Sequence, residues 1–208
     1  MKTAKTENGA NPSGSGKSAK RILLIDAHPA GDSLCKGFAD EYEAGARAAG
    51  RKIDRLNLRD LRFDLNFRGY GRGTQELEPD LQLAQSKILA SDHIVWVYPV
   101  WWGAWPALLK GFIDRVLMPG YAFRGIGKYK YEKLLSGRTA RIIATMDSPG
   151  WYYRLQGRPG MIALRDHTLK FCGIDQVAMQ AFGPVKYVSP ERREQWKLKV
   201  RGLGSAAA

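Results

Sequence analysis

The chain has 208 residues, of which 44% are apolar, 25% charged and 11% aromatic. That composition suits one globular domain and excludes fibrous, low-complexity and membrane-spanning classes. Lys and Arg number 33 against 20 Asp and Glu, a formal charge of +13, which raises an acidic or nucleic-acid partner as a question. More than half of that excess sits near the ends: Lys2, Lys5, Lys17 and Lys20 against Glu7, and Lys186, Arg192, Arg193, Lys197, Lys199 and Arg201 against Glu191 and Glu194. The rest is dispersed, with no basic helix or zinc-finger spacing, so nucleic-acid binding is not expected as the main role. Cys35 and Cys172 stand far apart with no C-x-x-C, and His28, His93 and His167 are scattered, so no disulfide framework and no metal site is expected. The N-terminus lacks the apolar run of a signal peptide, and a cytoplasmic location is the expectation.

Residues 1–20, rich in Gly, Ser, Asn and Lys, read as a disordered basic tail, and residues 202–208 as a disordered C-terminal tail. Residues 21–201 between them form a single domain. Arg21–Ala27 is a buried-strand run ended by the turn-rich HPAGDS, and Leu34–Ala49 carries helix formers up to Gly50. Lys52–Leu58 reads as a second strand and Asp80–Ser91 as a helix. His93–Tyr98 is a β-branched and aromatic third strand. After a loop, Ala107–Leu117 places Leu108, Leu109, Phe112, Ile113, Val116 and Leu117 at helical spacing behind Pro106. Arg138–Thr145 is a fourth strand, Met161–Phe171 a helix closed by Gly173, and Ile174–Gln180 a fifth strand. Ser189 caps a last helix with Pro190 in its first turn.

Strands alternating with helices predict a doubly wound α/β fold, a parallel sheet with helices on both faces. Such folds bind ligands beyond the carboxyl ends of their strands. Three loops therefore matter. H-P-A-G-D-S leads into a helix N-terminus, whose free N–H groups and dipole suit an anion, although the same residues serve as an ordinary turn with Ser33 as cap. Pro99–Trp105 concentrates Trp101, Trp102 and Trp105, either as a stacking platform for a flat ligand or as plain packing. Met146–Gly160 is long and rich in Gly, Pro and aromatics, as functional loops are, and Tyr152 and Tyr153 place phenols there. The basic residues Arg124, Lys128 and Lys130 are either a solvated loop or a seat for the 2′-phosphate of NADPH.

The segment YPVWWGAWPALLKGFIDRVL, with H-P-A-G-D-S, the Y-A-F at Tyr121 and F-C-G-I-D-Q at Phe171–Gln176, resembles the flavodoxin-like NAD(P)H:quinone oxidoreductase family over roughly residues 21–201. The resemblance implies a flavodoxin-like five-stranded parallel sheet of order 2-1-3-4-5. It implies bound FMN, with FAD possible, and ping-pong hydride transfer from NAD(P)H to a quinone, azo or nitro compound. A homodimer is implied as well. FMN is favoured because the chain ends soon after the fifth strand. By motif position, His28, Ser33, Leu34 and Cys35 border the flavin phosphate or ribityl chain. Pro99, Val100, Trp101, Trp102 and Gly103 form the isoalloxazine loop, Thr145, Met146, Asp147 and Ser148 close its other edge, and Tyr153 matches the active-site tyrosine. The sequence departs from the family where T-M-D-S replaces T-T-G-G and where Pro159 replaces the histidine partner of the tyrosine. Asp147 beside the flavin opposes the negative charge gained on reduction unless it turns away or pairs with an arginine such as Arg154. The alternative role implied by the same resemblance is a flavin-binding regulatory subunit of a potassium-efflux system with little turnover.

Overall fold

The computed structural model describes residues 20–69 and 75–207. All of the expected N-terminal tail except Lys20 lies outside the described residues.

Five parallel strands form the main sheet: β1 (Arg21–Asp26), β2 (Lys52–Asn57), β3 (His93–Pro99), β6 (Thr139–Thr145) and β7 (Gln176–Phe182), in the order β2-β1-β3-β6-β7. Every residue of β3 is buried, as a central strand with both faces covered requires. The order matches the 2-1-3-4-5 expectation, because the two intervening strands, β4 (Phe123–Gly127) and β5 (Lys130–Lys133), pair only with each other as an antiparallel hairpin.

The crossover connections divide the helices between the faces. On one face α1 (Leu34–Ala48) and α7 (Pro190–Ser205) cover Ile22, Leu24, Val95, Val97 and Ile143 with Phe38, Tyr42 and Val200. On the other, α2 (Pro79–Leu89), α3 (Ala107–Val116) and the helical run from Pro159 cover Leu23, Ile25, Trp96 and Ile142. Arg115 of α3 is buried and donates to the Asp64 and Glu76 carbonyls, each at 2.8 Å, and to the Glu78 carboxylate at 2.8 Å. It thereby fastens the connection between β2 and α2 onto α3.

The C-terminal tail expected from residue 202 is instead the last turn of α7, and Ala207 beyond it is buried. Glycines that argue against a helix by propensity are needed here for contact. A Cβ on Gly204 would stand 2.1 Å from the Tyr42 carbonyl oxygen, and one on Gly45 2.0 Å from that of Arg201. The expected helix Met161–Phe171 is composite: α5 (Pro159–Ile162), a π-helical stretch (Ala163–Leu169) and α6 (Lys170–Cys172). The fifth strand lies two residues later than expected, because the Ile174 N–H still closes onto the Leu169 carbonyl at 2.9 Å after Gly173 turns the chain at φ +106°.

Candidate functional site

At the carboxyl edge of the sheet, β1 ends on Asp26, a fully buried carboxylate held by Arg59 at 2.7 Å and Arg55 at 3.3 Å. Asp26 Oδ1 accepts the His28 N–H at 3.2 Å, and His28 Nδ1 accepts the Ala30 N–H at 3.0 Å. Arg59 also donates to the His28 carbonyl at 3.3 Å. The first loop is thus shaped by a charge cluster beneath it. Ser33 Oγ accepts the Lys36 N–H at 3.1 Å and caps α1, so the remaining first-turn N–H groups of a 15-residue helix point into the space above the sheet.

The second loop continues β3 through a Val100 N–H bond to the Thr145 carbonyl at 2.7 Å. Trp101 and Ala104 then exchange two backbone hydrogen bonds of 2.9 Å each. The central pair, Trp102 at φ +52° and Gly103 at φ +75°, makes this the mirror-image tight turn that demands positive φ at both positions. Trp101 meets the His28 ring edge-on at 5.6 Å. Trp102 is fully exposed, and Trp105 packs into the core beside α3. The three tryptophans therefore divide: one forms a wall of the site, one faces outward and one is packing.

The third loop begins at Thr145, whose Oγ1 lies 3.2 Å from Cys35 Sγ. Burial pushes the Cys35 thiol up to about 12, against the hydrogen bond from Thr145 and with a smaller push from Asp26, so it is a neutral wall residue. The Met146 N–H donates to the Phe182 carbonyl and the Met146 carbonyl accepts the Val185 N–H, each at 2.9 Å. Asp147 Oδ1 accepts the Lys186 N–H at 3.0 Å; the partner expected at Arg154 is replaced by backbone. A fourth short helix, α4 (Gly150–Leu155), occupies what reads in the sequence as open loop and exposes Trp151, Tyr152 and Leu155.

These loops enclose a cleft of ≈ 290 Å³ that brings together His28, Ser33, Leu34, Cys35, Pro99, Val100, Trp101, Thr145, Met146 and Asp147. Trp102, Gly103, Ser148 and Tyr153 stand outside its lining. Tyr153 is buried; its Oη accepts the Met161 N–H at 3.4 Å and donates to the Gly103 carbonyl at 3.5 Å. Burial raises its pKa, opposed by the Met161 and Gly160 backbone groups and by Arg158. Pro159, at the position of the family's histidine, touches the space beside Gly103. Ala30, Asp32 and Val185 also line the cleft and were not singled out from the sequence, nor was Asp26. A charged residue closing the apolar run RILLI is the one signal that pointed to Asp26.

A second cleft of ≈ 350 Å³ opens on Ser33 and Leu34 from the α7 side and carries Arg193 and Lys197. Arg124, Lys128 and Lys130 are elsewhere. They lie in the hairpin joining the end of α3 to the start of β6, which is at the amino edge of the sheet, and Arg124 is bound to Glu132 through Nε at 2.9 Å.

A family model described as a flavodoxin-like fold matches residues 20–202. The chain is 28% identical over 183 residues to an uncharacterized NAD(P)H oxidoreductase of Haemophilus influenzae, covering 83% of this chain and 88% of that protein. It is 28% identical over 200 residues to human ribosyldihydronicotinamide dehydrogenase [quinone], covering 84% and 86%. Among solved structures, an NAD(P)H:quinone oxidoreductase from Methanothermobacter marburgensis superposes with TM-score 0.76 at 22% identity, covering 90% of this chain and 96% of that one. An FMN-dependent NADH-azoreductase from Bacillus anthracis, solved in complex with FMN, superposes with TM-score 0.71 at 19% identity, covering 91% and 99%. Both structures share the fold.

Proposed function

This chain belongs to the flavodoxin-like fold family over residues 20–202, and from that premise we propose that it is a flavin-dependent NAD(P)H:acceptor oxidoreductase. The observation that carries the reading is the carboxyl-edge cleft, where an N-terminal helix turn, an aromatic wall and a polar edge converge. The names of the relatives and the FMN of the azoreductase agree with it.

The residues present fit FMN. The first turn of α1, capped by Ser33, suits a phosphate, since no cationic side chain lines the cleft and backbone N–H groups must supply the attraction. Val100 and Trp101 would hold the ring system on one side, with Thr145, Met146 and Asp147 on the other. The flavin, when bound, supplies the hydride chemistry between NAD(P)H and a quinone, azo or nitro acceptor. Donor and acceptor then use the same opening in turn, in ping-pong order. The chain's own task is to bind and orient. Tyr153 contributes by tethering the Gly103 carbonyl and so positioning the Trp101–Ala104 turn. Because Asp147 accepts a backbone N–H, its negative charge is partly offset at the ring's edge. FAD is the longer alternative, and Arg193 and Lys197 in the adjoining cleft mark where its extension would run.

Exposed Trp102, Trp151, Tyr152 and Leu155 border the site and support a homodimer that covers them. No helix among the described residues is long and apolar enough to cross a membrane, and the proposed setting is the cytoplasm. A second reading, a flavin-binding regulatory subunit of a potassium-efflux system with little turnover, is favoured by one observation: the Tyr153 hydroxyl is engaged with Gly103 and Met161 rather than facing the cleft.

The deciding experiment is an absorbance spectrum of the purified protein, with heat-released flavin identified by chromatography, followed by NAD(P)H oxidation with a quinone. Colourless protein that neither FMN nor FAD stabilises against heat sinks both readings. Bound flavin with negligible turnover favours the second.

A further inference from the structure

Behind the segment that closes the flavin cleft lies a separate cavity of ≈ 420 Å³, between the free edge of β7 and α7. Its lining is chemically distinct from that of the cleft. Phe182 and Trp196 supply aromatic surface, with ring centroids 5.6 Å apart, and Arg192 and Lys199 supply two cations. Gln180 and Gln195 add side-chain amides, and no carboxylate is present in the lining. Lys199 Nζ stands 5.9 Å from the centre of the Phe182 ring, a cation resting on an aromatic face. Arg192 uses one guanidinium N–H on Gln195 Oε1 at 2.9 Å, which leaves further donors of its planar fork for a ligand.

The strand edge adds a backbone donor. The Phe182 carbonyl is turned inward to the Met146 N–H. Because successive peptide groups of a strand point to opposite sides, the Ala181 N–H and carbonyl face the open edge beside this cavity. Two cations, an outward N–H and a half-buried indole, without any opposing carboxylate, match a flat ring bearing a carboxylate. Such a ring would rest on Trp196, with its carboxylate taken up by Arg192 and Lys199.

From this arrangement we infer that the cavity between β7 and α7 is a binding site for a planar aromatic carboxylate, separate from the flavin cleft. The two sites share one piece of chain. Phe182 and Gly183 line the outer cavity and Val185, two residues on, lines the flavin cleft, and Gly183 is wedged so tightly against the third loop that a Cβ would stand 2.6 Å from the Ser148 carbonyl oxygen. The outer site thus adjoins the backbone hydrogen bonds that tie Met146 of the cleft to Phe182 and Val185.

The test is calorimetric titration of the full chain with 2-naphthoate, with neutral 2-naphthamide as the comparison ligand. Expected is saturable one-to-one binding of 2-naphthoate that persists in saturating FMN. Affinity should fall about ten-fold or more both for 2-naphthamide and for the double variant R192Q/K199Q. These two residues are on the surface, and an unchanged melting temperature of the variant shows that its fold is intact. Trp196→Phe should retain binding but lose the ligand-induced change in tryptophan fluorescence. Failure to saturate at millimolar ligand, displacement by FMN, or equal affinity in the double variant would each overturn the assignment. Because the readout is binding in the presence of FMN, it does not depend on whether the protein turns over NAD(P)H.

Discussion

The Gly160 N–H donates to the Gly103 carbonyl across 2.8 Å, and a Cβ on Gly160 would stand 2.6 Å from that same oxygen. The second and third loops are thereby joined backbone to backbone, with no side chain between them. Gly160→Ala forces them apart. We expect a loss of about 1–3 kcal/mol in stability, as for other overpacked sites, together with weaker retention of FMN. A melting temperature equal to that of the parent would show that the contact is slack.

Trp101 and Trp102 are neighbours with opposite surroundings. Trp101→Ala removes a wall of the cleft and should weaken FMN binding by ten-fold or more, about 1.4 kcal/mol, as read by fluorescence titration. Trp102→Asn relieves a left-handed backbone that costs a bulky residue about 1–2 kcal/mol and leaves FMN affinity unchanged. It should instead weaken self-association in sedimentation experiments; an unchanged dimer would remove Trp102 from the interface.

His93 is buried at the amino edge of the sheet, with Nδ1 2.7 Å from Thr139 Oγ1 and Nε2 3.4 Å from the Tyr42 hydroxyl. Burial pulls its pKa down to about 4, helped by Arg141 and Lys20. The unfolded chain takes up this proton near pH 6.5 while the folded one does not. The resulting stability is therefore complete above pH 6.5 and is lost as pH falls from there through 4, by at most about 3 kcal/mol. The urea midpoint of the parent should drop across that window more steeply than that of His93→Gln. Parallel curves would assign the acid sensitivity to other groups.

Arg115→Met leaves Glu78 and two backbone carbonyls without their donor. A cost of roughly 3 kcal/mol is expected, at the low end for a broken buried pair because Glu78 keeps contact with water. Limited proteolysis should then cut the connection between β2 and α2 before the rest of the domain. Uniform digestion would show that Arg115 does not fasten it.

The parallel sheet was legible because RILLI, HIVWVY and RIIAT are apolar runs that fit a fully buried parallel strand, while its order followed only from the family resemblance. The cleft was legible because strand ends in such a sheet converge. Other features had no periodic signal. The β4–β5 hairpin mixes Gly, Lys and Tyr without alternation, and α4 consists of six residues within a stretch rich in Gly and Pro. The division of labour among Trp101, Trp102 and Trp105 depends on a turn whose handedness is set by φ, which residue type did not reveal. Tyr153 falls in α4, within the stretch that reads as the third loop, and the direction of its hydroxyl follows from Gly103, fifty residues away, and Met161. The closing GSAAA suggested a tail from 202, because composition takes no account of a partner helix lying within touching distance of Gly204.

That glycine contact between α1 and α7 also bears on how the molecule is made. Helices α1 and α7 share one face of the sheet, so during synthesis the side of α1 that packs on α7 stays uncovered until the sixteen residues of α7 have left the ribosome. A nascent chain stalled anywhere before Pro190 presents a parallel sheet with one face covered by α1 alone. The order of synthesis thus makes α7, far in sequence from the helix it packs on, the element that completes this half of the core.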